Sequence, residues 1–95
     1  MKVKVQFFAS VRELVGLSEE TLELRDGGTA KDLIEILVAR HGEGLRDCIF
    51  EPKSGDLRRS LQFLVGEKPI SALDGLSTRL MDGCVFAIIP PVGGG

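Results

Sequence analysis

The sequence predicts an α+β fold in which a mixed sheet of four or five strands packs against one main helix. Apolar and polar side chains alternate over residues 2–8 and 20–25, as they do in half-buried strands. An apolar stripe with helical spacing follows over residues 30–41, and the short apolar runs 61–65 and 84–89 supply further strands. One helix of about three turns can cover one face of so small a sheet.

The first predicted strand covers residues 2–8. Its apolar side chains fall on alternate positions, so one face carries Val3, Val5 and Phe7. By the same count, Phe8 belongs to the opposite face, together with the lysines of this strand. We expect that second face to point away from the helix.

A single helical turn is predicted directly after this strand. Ser10 and Glu13 have the spacing of a capping box, and Gly16 is suited to end the turn. The second strand, residues 20–25, is predicted to run antiparallel to the first. Its leucines, Leu22 and Leu24, then point inward.

The main helix has clear signals at both of its ends. Thr29 is a favourable N-cap, and Asp32, three residues later, suits the positive end of the helix dipole. Gly42 follows basic residues in the last turn and is the expected stop. The apolar stripe that faces the sheet consists of Leu33, Ile34, Leu37 and Val38.

The second half of the chain supplies the remaining strands. Residues 43–60 are less regular, with a short packed turn followed by a loop. A strand over 61–65, a brief edge strand over 69–73 and a last strand over 84–89 follow. This element order is that of the β-grasp fold of ubiquitin. We expect residues 1–90 to form this domain and residues 91–95 to form a flexible glycine tail.

Length and charge limit the classes of function. Ninety-five residues allow one small domain, and 12 basic against 14 acidic side chains give a net charge of −2. This balance argues against a nucleic-acid partner, which requires clustered positive charge. The apolar runs are far shorter than the roughly 20 residues that cross a bilayer, so we expect no membrane insertion. The first residues lack the apolar core of a secretory signal, and we expect a cytoplasmic location.

Few side chains are available for an internal active site. His41 is the only histidine, which leaves no Ser/His/Asp or Cys/His constellation and no histidine-based metal site. Cys48 and Cys84 do not have Cys-x-x-Cys spacing, and we expect them to be reduced and largely buried. We therefore predict no internal catalytic residues, no metal and no bound cofactor.

The C-terminal residues have a different character from the rest of the chain. Residues 83–95 carry no charged side chain. They finish with two prolines, one apolar residue and three glycines: Pro90, Pro91, Val92, Gly93, Gly94 and Gly95. Prolines stiffen the exit from the last strand, and glycines keep the tail thin. Such a tail is able to thread a narrow channel in another protein and present the Gly95 carboxylate there.

Two segments of this sequence resemble the MoaD/ThiS family of ubiquitin-like proteins. Residues 3–16 read VKVQFFASVRELVG and match the opening strand and turn of the family. Residues 80–95 read LMDGCVFAIIPPVGGG and match its last strand and its Pro-Pro-Val-x-Gly-Gly end. The similarity is greatest to the MoaD type, the small subunit of molybdopterin synthase.

The resemblance implies a chemistry for Gly95. In this family, a ubiquitin-activating-type enzyme uses ATP to adenylate the terminal glycine carboxylate. A persulfide sulfur then converts the adenylate to a thiocarboxylate. In the MoaD type, this sulfur goes to a pterin precursor in the complex with the large synthase subunit.

Other fates of the same activated carboxylate stay open. In ThiS-type relatives, the sulfur goes to the thiazole ring of thiamin. In small archaeal modifier proteins, the same activated carboxyl also forms isopeptide bonds with lysines of other proteins. An inert tail on a β-grasp interaction module is a third reading of the sequence.

Strand alternation also predicts a partner surface. If Phe86 and Ile88 face the helix, then Ala87 and Ile89 face away from it, on the same side as Phe8. An exposed apolar patch of this kind beside the tail is typical of a protein interface. The alternatives are an inverted register, or coverage of this face by residues 43–60.

Overall fold

A computed structural model describes residues 1–91, which form a five-stranded mixed sheet. The strands are β1 (Lys2–Phe7), β2 (Glu19–Glu23), β3 (Gln62–Val65), β4 (Lys68–Pro69) and β5 (Val85–Ile89), in the order β2-β1-β5-β3-β4. β1 and β5 are parallel, and the other pairs are antiparallel. The α+β, β-grasp prediction is confirmed. The predictions for Val92, Gly93, Gly94 and Gly95 fall outside the described residues.

Three helices and two short 3-10 turns accompany the sheet in this part of the chain. The helices are α1 (Ala9–Val15), α2 (Ala30–His41) and α3 (Glu43–Ile49), and the 3-10 turns are Ile70–Ala72 and Gly75–Ser77. Within residues 1–91, no helix has the length and apolar content that crossing a bilayer requires.

The ends of α2 are set by local side-chain chemistry. The Thr29 hydroxyl accepts a hydrogen bond from the Asp32 N–H at 3.3 Å, and the Asp32 carboxylate accepts one from the Thr29 N–H at 2.9 Å. These two bonds form a capping box, which satisfies two backbone donors that a helix start otherwise leaves unpaired. Gly42 ends the helix with a φ of 88°, a value that favours glycine.

The hydrophobic core lies between α2 and one face of the sheet. The register places Val5 beside Phe86 and Phe7 beside Ile88, and all four side chains are at most 1% exposed. The predicted stripe on α2 is buried against them: Leu33, Ile34, Leu37 and Val38. Full burial of one such side chain contributes about 1.5–3 kcal/mol, so the two layers hold each other in place.

The predicted capping box at Ser10 and Glu13 is wrong. α1 begins at Ala9, so Ser10 lies inside its first turn, and Phe8 precedes the helix without a side-chain cap. Ala9 has a φ of +48°, a left-handed conformation that turns the chain from β1 into α1 within one residue. Gly16 ends α1 as predicted, with a φ of 85°.

Two predictions for the second half of the chain need correction. The short packed turn after Gly42 is the helix α3, which packs against α1 and α2 and buries Leu45 and Ile49 in the core. The edge strand predicted over 69–73 shrinks to Lys68–Pro69. Pro69 has no N–H for a longer ladder, and the next residue, Ile70, begins a 3-10 turn that buries its side chain.

Candidate functional site

The predicted tail continues from β5, which is bonded to a neighbouring strand on each side. Ile88 pairs with Phe7 of β1, and Ile89 pairs with Gln62 of β3. Pro90 is buried, whereas Pro91 is exposed. Because the strand before Pro90 is held along both edges, the point at which the chain leaves the sheet is fixed.

Side chains of β5 alternate between the two faces of the sheet. Phe86 and Ile88 are fully buried in the core below α2, so Ala87 and Ile89 lie on the outer face. Ala87 is nevertheless only 6% exposed. The register places Gln6 on one side of it and Leu64 on the other, and these longer side chains flank the methyl group.

Phe8 lies next to the end of β5. The backbone of Phe8 is extended, with φ −125° and ψ 151°, so its side chain continues the alternation of β1 although the strand itself ends at Phe7. Since Phe7 pairs with Ile88, Phe8 falls beside Ile89 on the outer face. Phe8 is 38% exposed and Ile89 is partly buried. Of the three predicted interface residues, these two supply accessible surface, and Ala87 supplies little.

Leu17 belongs to the same surface, although strand alternation did not predict it. The Phe7 N–H donates to the Ser18 carbonyl at 2.9 Å, so the pairing of β1 with β2 continues beyond Glu19 and sets Leu17 opposite Phe8. Leu17 is 44% exposed. We refer to Leu17, Phe8 and Ile89 as the tail-side patch. The two-residue spacing from Glu19 would have identified Leu17, but the second strand was expected to begin one residue later.

The two groups whose pKa values are shifted, Asp32 and Cys48, lie away from the tail-side patch. The backbone N–H of Thr29, together with the Arg25 guanidinium at 3.0 Å, holds the pKa of Asp32 below its ordinary value. Burial raises the pKa of the Cys48 thiol. The first group belongs to the cap of α2, and the second is in α3. Among residues 1–91, there is no cluster of three or more side chains suited to hold a metal ion.

Comparisons with known proteins identify the family of this chain. The ThiS family model matches residues 5–95. A molybdopterin synthase sulfur carrier subunit from Chlamydomonas reinhardtii is 33% identical over 95 residues, which is 100% of both chains. Small archaeal modifier protein 3 from Haloferax volcanii is 32% identical with the same coverage.

A solved structure is similar over the same length. The solution structure of small archaeal modifier protein 1 from Methanosarcina acetivorans has a TM-score of 0.84 at 33% identity, covering 99% of this chain and 96% of that one. The relatives thus include both a subunit of molybdopterin synthase and protein modifiers, as the two terminal motifs predicted. Because the family model covers nearly the whole sequence and the full-length relatives agree with it, the chain belongs to the ThiS family.

Proposed function

We propose that this chain is a ubiquitin-like sulfur carrier whose terminal glycine, Gly95, is converted to a thiocarboxylate for molybdopterin synthesis. One observation carries the proposal: the family match extends through residue 95, so it includes the end of the chain that follows the central strand β5 in sequence. The full-length identity to a sulfur carrier subunit supports the choice of pathway. The folded domain then serves as a rigid support for the tail that carries the Gly95 carboxylate.

The chemistry requires a partner enzyme that binds ATP. A carboxylate oxygen of Gly95 attacks the α-phosphorus of ATP, and pyrophosphate leaves. The terminal sulfur of a protein persulfide then attacks the carbonyl carbon, and AMP leaves. A second thiol attacks the sulfur of the resulting acyl disulfide that belongs to the donor protein, which releases the thiocarboxylate and leaves the two thiols joined as a disulfide. The glycine carbon has no side chain to hinder either attack. We place these steps in the cytoplasm, where ATP and reduced thiols are available.

We assign the tail-side patch to the contact with this adenylating enzyme. Phe8 exposes apolar surface directly beside the strand that leads into the tail, and Leu17 extends this surface on the far side of Phe8. Exposed apolar residues of this kind mark sites of protein association. The large subunit of molybdopterin synthase is the expected acceptor of the loaded tail, and a different protein is therefore met at each stage.

A second candidate function is protein modification. It is favoured by the 32% and 33% identities to two small archaeal modifier proteins over almost the full chain. In that case, the amine of a target lysine attacks the same adenylate, AMP leaves and an isopeptide bond forms. The two functions share the activation step and differ in the nucleophile that follows.

Mass spectrometry distinguishes the two candidates. The purified chain is incubated with its adenylating enzyme, ATP and a persulfide donor, and its intact mass is measured. Replacement of one terminal oxygen by sulfur supports the carrier. Glycine remnants on lysines of target proteins after digestion support the modifier. A chain that lacks Gly94 and Gly95 is the control, and full activity of that control would contradict both functions and favour an inert tail.

A further inference from the structure

A groove of about 370 Å³ lies along β3, on the side of that strand away from β5. β4 pairs with Leu64 and Val65, in the second half of β3, and then ends at Pro69. The first half of β3 therefore borders the groove. Five apolar residues line it: Leu57, Leu61, Phe63, Pro69 and Ile70. Phe63 and Ile70 are each only 4% exposed, whereas Leu57, Leu61 and Pro69 are partly exposed and form its accessible apolar surface.

Positive charge borders this apolar lining. Arg58 and Arg59 both line the groove, and no acidic side chain is among the lining residues. Arg58 is already engaged, because its Nε donates to the Asp47 carbonyl at 2.7 Å and its guanidinium lies 3.5 Å from Glu51. Arg59 is exposed and forms no salt bridge with any residue in 1–91. The groove thus offers one guanidinium that is available to a carboxylate.

The groove opens at the same end of the sheet as the tail. Gln62, which also lines it, pairs with Ile89, the last residue of β5. The near end of the groove is therefore one strand away from the point where the chain leaves the sheet. A protein that takes up the tail is placed to reach this groove as well.

We propose that the groove receives an extended segment of the adenylating enzyme, with an apolar side chain against Leu57 and Leu61 and a carboxylate on Arg59. This inference rests on the proposed function, since it names a second contact for the same partner. A second copy of this chain fits less well. A two-fold contact centred on the groove would bring the Arg59 side chains of both copies together, and like charges repel.

The test measures ATP–pyrophosphate exchange by the adenylating enzyme as the concentration of this chain is varied. For Arg59→Glu, we expect the KM for the chain to rise about tenfold while kcat stays unchanged, because the contact forms on binding rather than in the transition state. The KM of this variant also loses part of its dependence on NaCl. The matched control is Arg79→Glu, an exposed arginine near the start of α2, at the opposite end of the sheet. We expect its KM to stay within about twofold of wild type.

A second variant keeps the inference falsifiable without a change of charge. Ser71 is exposed and lines the groove, so Ser71→Trp fills the space and is expected to raise KM to a similar extent. If both variants keep the wild-type KM, and deletion of Gly94 and Gly95 still abolishes exchange, the groove is a surface depression only. The proposed function then stands. Absence of exchange with the wild-type chain would instead refute the proposed function. Gel filtration tests for a second copy in the groove. If the wild-type chain forms a dimer, and Arg59→Glu changes the proportion of that dimer, the groove binds a second copy and the inference is overturned.

Discussion

Phe7 and Phe8 are adjacent in sequence, but their rings lie on opposite faces of the sheet, with 1% and 38% of their surface exposed. The Phe7 ring packs edge-on against the His41 ring, with centroids 6.1 Å apart. The Phe8 ring stays outside because its backbone is extended and the left-handed Ala9 turns the chain away immediately afterwards. One dipeptide thus contributes both to the core and to the tail-side patch.

Replacement of each phenylalanine by alanine is expected to separate these roles. Phe7→Ala leaves a cavity beside Ile88 and His41 and should lower the free energy of unfolding by about 3–5 kcal/mol. Phe8→Ala should lower it by less, about 1–2 kcal/mol, because 38% of the Phe8 surface is already exposed. Urea denaturation followed by circular dichroism measures both values. Equal losses in the two variants would contradict the assignment of faces.

Ala9→Gly is expected to stabilise the protein. A left-handed φ costs an L-residue roughly 1–2 kcal/mol, whereas glycine adopts it freely. The greater entropy of glycine in the unfolded chain opposes this gain by about 0.5–1 kcal/mol, so we expect a net increase of about 0.5–1 kcal/mol in the free energy of unfolding. Ala39→Gly, at an exposed position of α2, is the matched control and should lower it by up to about 1 kcal/mol. A loss of stability in both variants would show that the backbone at Ala9 is unstrained.

Glu20 connects β2 to the end of α2. One of its carboxylate oxygens lies 2.7 Å from the Arg40 guanidinium, the other lies 2.9 Å from Nε2 of His41, and the side chain is 9% exposed. Glu20→Gln should lower the free energy of unfolding by about 1–3 kcal/mol, because polar partners lose a charged acceptor. Glu19→Gln changes the exposed neighbour, which lies 4.0 Å from Lys4, and should cost at most about 1 kcal/mol. Thermal unfolding of the two variants, compared side by side, tests this difference.

The cap of α2 should make stability depend on pH in the acid range. The Thr29 N–H holds the pKa of Asp32 below its ordinary value, so the folded state favours the carboxylate form. This contribution is fully present above the unfolded pKa of about 4 and is lost as the pH falls through the lowered folded pKa. Asp32→Asn should therefore reduce the slope of stability against pH below about pH 4. Urea midpoints over that range measure the slope, and Asp56→Asn in an exposed loop is expected to leave it unchanged.

Local signals were sufficient to predict α2 and the alternation of β1. The N-cap, the apolar stripe and the stop glycine of α2 all depend on residues within the helix or next to it. The same type of signal failed at Ser10 and Glu13, because a Ser-x-x-Glu spacing does not report the left-handed Ala9 that starts α1 earlier. Such a backbone conformation depends on how α1 packs against β1, and sequence spacing does not contain it.

Long-range contacts explain the remaining differences. Leu45 and Ile49 form a stable helix face because α1 and α2 cover them, and residues 43–49 alone carry only a weak pattern. The burial of Ala87 has a similar origin. Its exposure depends on Gln6 and Leu64, which come from distant parts of the chain and flank it through the sheet register. Alternation predicted the face on which Ala87 lies but not its accessible area.

Phe8→Asp is expected to weaken binding of the adenylating enzyme while the fold stays intact. Phe8 lies beside Ile89 at the point where the chain leaves the sheet, so a charge there would have to be desolvated against an apolar partner surface. We expect the affinity, measured by titration calorimetry, to fall at least about tenfold. Thr21→Asp, an exposed position of β2 on the same outer face but away from the tail-side patch, should leave the affinity within about twofold of wild type. Unchanged affinity in Phe8→Asp, with a melting temperature equal to that of wild type, would show that the adenylating enzyme binds elsewhere.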